Sequence, residues 1–150
     1  MWRRFIGYGV AGWGIEVMFT SMSDTLRRLR GHTYLWMLPI YGAGGLLLER
    51  MHEGMAARRW SRWARALAYT GCIYAVEMGS GLALAGLLGD VPWRYRRGWS
   101  IGGYVRIDYA PFWYGCGLLF EPLERELHKL SRPARREWRA RGQARAVAHG

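Results

Sequence analysis

The sequence predicts an all-α, polytopic membrane protein: a bundle of four transmembrane helices whose second helix is broken by proline and glycine. Three observations carry this expectation. Of the 150 residues, 51% are hydrophobic, and the charges fall mainly between apolar blocks rather than within them. Four such blocks approach the length of about 20 residues that crosses a bilayer core. Glycine is abundant, at 21 residues, as in membrane helices whose backbones approach closely.

The blocks are expected at about 5–21, 34–51, 66–89 and 101–120. Together they make a transmembrane domain over 1–121, followed by a basic tail over 122–150. The first block follows Met1-Trp2-Arg3-Arg4, as a secretory leader would. Glu16 inside it and the lack of a small-x-small cleavage site point instead to an uncleaved first helix. Gly7-Tyr8-Gly9-Val10-Ala11-Gly12 fits the dinucleotide pattern G-x-G-x-x-G. That pattern needs a preceding strand, so small residues at a helix interface explain it better. In the second block, Pro39 lacks a backbone donor, and Gly42, Gly44 and Gly45 lower the cost of bending. An interrupted helix at membrane depth must face protein or a watery cavity. The third block is the longest and cleanest. The tail has Leu123, Leu127 and Leu130 on one helical face and is expected to lie on, or project from, the inner surface.

Arginine sets the expected topology. Fifteen of the 22 Lys and Arg residues fall on the side of the termini and seven on the other, which favours cytoplasmic termini. Trp36, Trp93, Trp99 and Tyr104 near the outer ends suit an interfacial belt, as do Trp60, Trp63 and Trp138 on the inner side. The net charge of +11 is assigned to anionic lipid headgroups rather than nucleic acid, for which no recognition motif is present. The expected location is a multi-pass protein of a bacterial inner membrane.

Ionisable residues at membrane depth are functional candidates, because their burial is costly. Glu16, Glu77, Arg106 and Asp108 are such residues, with Glu49 and Glu121 nearer the inner ends. Glu16, Glu77, Arg106 and Asp108 form the candidate substrate-binding set with Pro39, Tyr41 and Gly42. Arg106 is expected to find its mate in Glu16 or Glu77 across the bundle, since Arg106 and Asp108 do not face each other along a helix. A structural role for each, as a kink or a register-setting pair, is the competing reading. No catalytic set, metal site or cofactor motif is found. Cys72 and Cys116 are read as small packing residues, and His32, His52, His128 and His149 as solvated.

Several segments together resemble a family of short membrane proteins labelled "putative ABC-transporter type IV", which includes vertebrate transmembrane relatives. Gly12-Trp13-Gly14-Ile15-Glu16, Leu38-Pro39-Ile40-Tyr41-Gly42, Glu77, Trp93-Arg94-Tyr95 and Asp108-Tyr109-Ala110-Pro111-Phe112-Trp113 carry the resemblance, over roughly 4–121. It marks Trp13, Trp93 and Tyr95 as motif residues. Arg94 stands where the family usually has an acid. The resemblance implies a permease-like or ligand-binding membrane component with a polar intramembrane site, partnered by a separate ATPase subunit and by further copies of itself. The basic, Trp-bearing segment 53–65 would dock that ATPase or lie on lipid. Two other classes stay open: an intramembrane lipid-modifying enzyme using Glu16 or Glu77 as acid or base, and a scaffold subunit without a ligand.

Overall fold

The fold is taken from a computed structural model, which describes residues 1–23, 33–91, 93–96 and 98–131. Four helices are present: α1 (Trp2–Ser23), α2 (Met37–Ala57), α3 (Arg62–Leu88) and α4 (Ala110–Ser131). Between α3 and α4 lie two short antiparallel strands, β1 (Ser100–Ile101) and β2 (Val105–Arg106), and a 3-10 turn, Ile107–Tyr109. Helix α1 packs along α2 and α3 along α4, and contacts between α2 and α3 and between α1 and α4 close the bundle.

The second helix is not broken. Pro39 lies in the first turn of α2, and the helix runs without interruption to Ala57. The first backbone N–H groups of a helix have no intrahelical partner, so a proline there forfeits nothing. Pro39 is also exposed. We expect Pro39→Ala to change stability by no more than about 0.5 kcal/mol, measured by equilibrium unfolding in detergent; a loss of several kcal/mol would restore a special role for this proline.

Gly42 and Gly45 of α2 serve contact rather than bending. A Cβ on Gly42 would lie 2.8 Å from the carbonyl oxygen of Phe5, and one on Gly45 would strike the Tyr8 ring. In the reverse direction, Tyr41 fills the space over Gly12, and the Leu38 carbonyl lies against Gly9. Small residues on each helix thus receive aromatic or backbone atoms of the other, which lets α1 and α2 approach closely.

The fourth helix begins nine residues later than the apolar block did. Gly102 and Gly103, with φ of 59° and 79°, turn the chain between β1 and β2, a conformation that favours glycine. Pro111 then sits in the first turn of α4. Arg106 and Asp108 therefore precede the helix. At its other end α4 runs on past Glu121 to Ser131, and Leu123 and Leu127 pack against the core with Tyr8, Leu48 and Phe120. The remaining tail, including Trp138, lies outside the described residues, as do His32 and His149.

Helix α3 is capped at both ends. Ser61 Oγ accepts from the Ala64 N–H at 3.2 Å, and Gly89, with φ of 81°, ends it. Among the described residues α3 is the helix long and apolar enough to cross a membrane. The expectation of four such helices is met in helix number alone. Charges account for the difference: α2 carries Glu49, Arg50 and Glu53, and α4 gains five acidic or basic residues by running on past Glu121.

Candidate functional site

A cavity of about 200 Å³ lies between the four helices, running from the end that carries the hairpin to Tyr8, Leu48 and Leu123. Glu16 of α1, Tyr41 of α2, Glu77 of α3 and Trp113 of α4 line it, so residues distant in sequence converge there. The segment between α3 and α4 folds back over this end. Trp93 is buried with Met37, Leu84 and Val91, and its indole N–H donates to the Tyr104 carbonyl at 3.3 Å. Tyr95 N–H donates to the Gly103 carbonyl at 2.8 Å, which fixes the segment against the hairpin turn. Trp93 and Tyr95 both line the cavity. Trp13 ties α1 to the entry of α2 by donating its indole N–H to the Tyr34 carbonyl at 3.0 Å.

The two acids differ in their partners. Tyr41 and Thr33 both donate to the Glu16 carboxylate. Glu77 Oε1 accepts from Tyr95 O–H at 3.0 Å. Among the described residues Glu77 Oε2 is buried without a hydrogen-bond partner, and the same holds for Trp113 Nε1. A buried polar atom left unpaired is costly, so such atoms rarely persist without a water or ligand between them.

The other candidates lie elsewhere. Gly42 is in the α1–α2 interface and Pro39 on the outside. Arg106 does not cross the bundle to an acid. Its Nε donates to Asp108 Oδ1 at 3.0 Å and NH1 to the Tyr109 hydroxyl at 2.7 Å, with the guanidinium 4.1 Å from the Tyr109 ring centre. The rule that residues two apart cannot meet applies to helices, and this segment is a strand followed by a 3-10 turn. The Arg106 guanidinium holds the Asp108 carboxyl below the usual carboxylate range. Arg94 likewise turns to Asp90, with Nε 2.6 Å from Oδ1, and lowers that carboxyl. The basic residue in the Trp-x-Tyr element is thus held at the surface while its two aromatic neighbours face the cavity.

A second polar layer spans the other end of the bundle. Glu49 is 6% exposed; its Oε1 pairs with Arg4 and lies 3.2 Å from His128 Nε2, and its Oε2 accepts from Tyr8 O–H at 3.1 Å. Beside it, Arg65 makes a two-point contact with Glu121 at 2.6 and 2.9 Å, and His52 Nδ1 lies 2.7 Å from the Tyr69 hydroxyl. His52 and His128 are therefore partly buried members of a network, not solvated residues. The signal was in the spacing: Glu49-x-x-His52 and Glu121-x-x-Glu124-x-x-x-His128 each fall on one helix face. Among the described residues no group of three or more His, Cys, Asp or Glu is arranged to hold a metal ion, and Cys72 and Cys116 are free thiols.

The family model described as "Putative ABC-transporter type IV" matches residues 3–133. The chain belongs to this family. The match takes in all four helices, the hairpin and both polar layers. The family's description relates the chain to ABC transporters and so to membranes, and a separate ATPase partner is compatible with it. No solved structure matches the chain.

Proposed function

We propose that the protein is a four-span membrane component, permease-like or ligand-binding, whose site is the cavity between the helices. The observation that carries this reading is the convergence of Glu16, Tyr41, Glu77 and Trp113, one from each helix, on one space between them, with Glu77 Oε2 and Trp113 Nε1 unpaired among the described residues.

The outer surface supports four spans. Each helix turns large apolar side chains outward, among them Val10 and Met18 on α1, Leu47 on α2, Leu67 and Leu82 on α3, and Leu119 on α4. Exposed tryptophans flank this surface at both ends, Trp36 and Trp99 at one and Trp2, Trp60 and Trp63 at the other. Arg62 stacks over Trp63 at 5.4 Å, a pairing suited to the headgroup level. The arginine bias favours cytoplasmic termini, and we take the membrane to be a bacterial inner membrane. A separate ATPase would supply the energy for transport. The outward-facing apolar surface meets lipid or a second copy of the chain.

The test is purification with native lipids and identification of what stays bound by mass spectrometry. A retained small molecule, lost on Glu77→Gln, is the expected result. Turnover of a bound lipid would favour an enzyme, and a stoichiometric protein with an empty cavity would favour a scaffold.

A further inference from the structure

We propose that the cavity takes a small organic cation: a protonated amine that keeps at least one N–H and also carries a hydroxyl or carbonyl oxygen. This rests on reading the cavity as a ligand site and names the class of ligand.

Charge comes first. Among the described residues no Arg, Lys or His is ion-paired with Glu77, and Arg106, expected from the sequence as its mate, is engaged by Asp108 and Tyr109. A carboxylate in a low-dielectric cavity without a cation is costly, and a cationic ligand removes that cost. Geometry comes second. Among the described residues Glu77 Oε2 is an acceptor without a donor, and Trp113 Nε1 a donor without an acceptor. An ammonium with at least one N–H satisfies the first, and an oxygen on the same molecule satisfies the second. A quaternary amine has no N–H to offer and leaves Oε2 unpaired.

The walls agree. Phe19, Tyr41, Trp93, Tyr95, Tyr109 and Phe112 bring aromatic rings to the cavity from α1, α2, α4 and the loop before α4. Ring faces attract cations and repel anions. The volume of about 200 Å³ exceeds the roughly 30 Å³ share of one water several-fold, so a small molecule fits where a single water would leave space.

The experiment measures binding to the full chain in lipid nanodiscs by calorimetry. The probes are ethanolamine, aminopentanol and tyramine, set against pentanol, pentanoate and tetramethylammonium. The expected result is saturable binding of at least one of the three amines and weaker or no binding of the controls. Glu77→Gln, which keeps the shape, is expected to weaken that binding roughly tenfold or more, as loss of a charged hydrogen bond does. Trp113→Phe is expected to weaken aminopentanol more than pentylamine, which lacks the oxygen. Thermal unfolding of both variants, unchanged from the parent, establishes that they are folded; should Glu77→Gln unfold, the Trp113→Phe comparison and the probe series on the parent decide. Preferred binding of pentanol or pentanoate would overturn the cation while leaving a ligand site. Preferred binding of tetramethylammonium would overturn the requirement for an N–H. Binding of no probe, with nothing retained from native membranes, would overturn both the cation and the ligand site.

Discussion

Replacing Glu49 by Leu is expected to lower the stability of the bundle by about 3–5 kcal/mol, the usual cost of orphaning the partner of a buried ion pair. Glu49 Oε1 meets Arg4 and His128, Tyr8 donates to Oε2, and the Glu49 side chain is 8% exposed. Without it, the Tyr8 hydroxyl has no acceptor and the Arg4 guanidinium loses its carboxylate, keeping only His128 Nε2 at 2.8 Å. The Arg4 side chain keeps 21% of its exposure, so the lower end of the range is expected. Substituting both, Glu49→Leu with Arg4→Met, should recover much of the loss, because the unpaired charge leaves with its partner. Glu126→Ala is the comparison. Its ion pair with Lys129 spans 2.6 Å, but both side chains are more than 60% exposed, and such a pair contributes about 0–1 kcal/mol. Equilibrium unfolding in detergent reads all four proteins. Equal effects of Glu49→Leu and Glu126→Ala would mean that water reaches the Glu49 network freely.

The second large effect is expected in the α1–α2 contact. Gly42→Ala puts a methyl 2.8 Å from the Phe5 carbonyl oxygen, a backbone atom of a packed helix that cannot swing aside. Overpacking of this kind costs about 1–3 kcal/mol. Two residues along, Gly44→Ala meets only Val76 at 3.6 Å, an ordinary contact, and gains up to about 1 kcal/mol of helix propensity. The two variants should therefore shift the unfolding midpoint in opposite directions. If both destabilise equally, the helix tolerates no side chain on either face. If both stabilise, α1 does not lie against α2 as described.

These two expectations show where the sequence was readable. Apolar blocks separated by charged stretches marked the number of helices and their order, because each helix of a bundle needs apolar side chains along its length to pack. Glu16 and Tyr41 lie at comparable depths along their helices, since rise per residue is fixed; Glu77 lies deeper along its own, and the packing of the four helices brings it to the same cavity. Register inside a block was harder. Pro39 reads the same in a kink and in a first turn, and only the position of the helix start, at Met37, separates the two. The hairpin before α4 was missed because hydropathy averages over it. Gly102-Gly103 between Ile101 and Val105 was the local sign of a turn. Once those residues leave the helix, Arg106 and Asp108 can face each other, and the expected pairing across the bundle disappears. Glu49, His52, Glu121 and His128 were set aside one at a time as end-of-helix residues. Their network exists because the ends of four helices come together, which no single segment reveals.

The central claim is that the helices enclose a polar ligand site within a membrane. Structure determination of the full chain in nanodiscs made from native lipid tests it most directly. The expected map has lipid against Val10, Met18, Leu47, Leu67, Leu82 and Leu119, and density within hydrogen-bonding distance of both Glu77 Oε2 and Trp113 Nε1. A map in which Glu77 turns to a basic side chain of the protein, with the helices closed over an empty core, would contradict it.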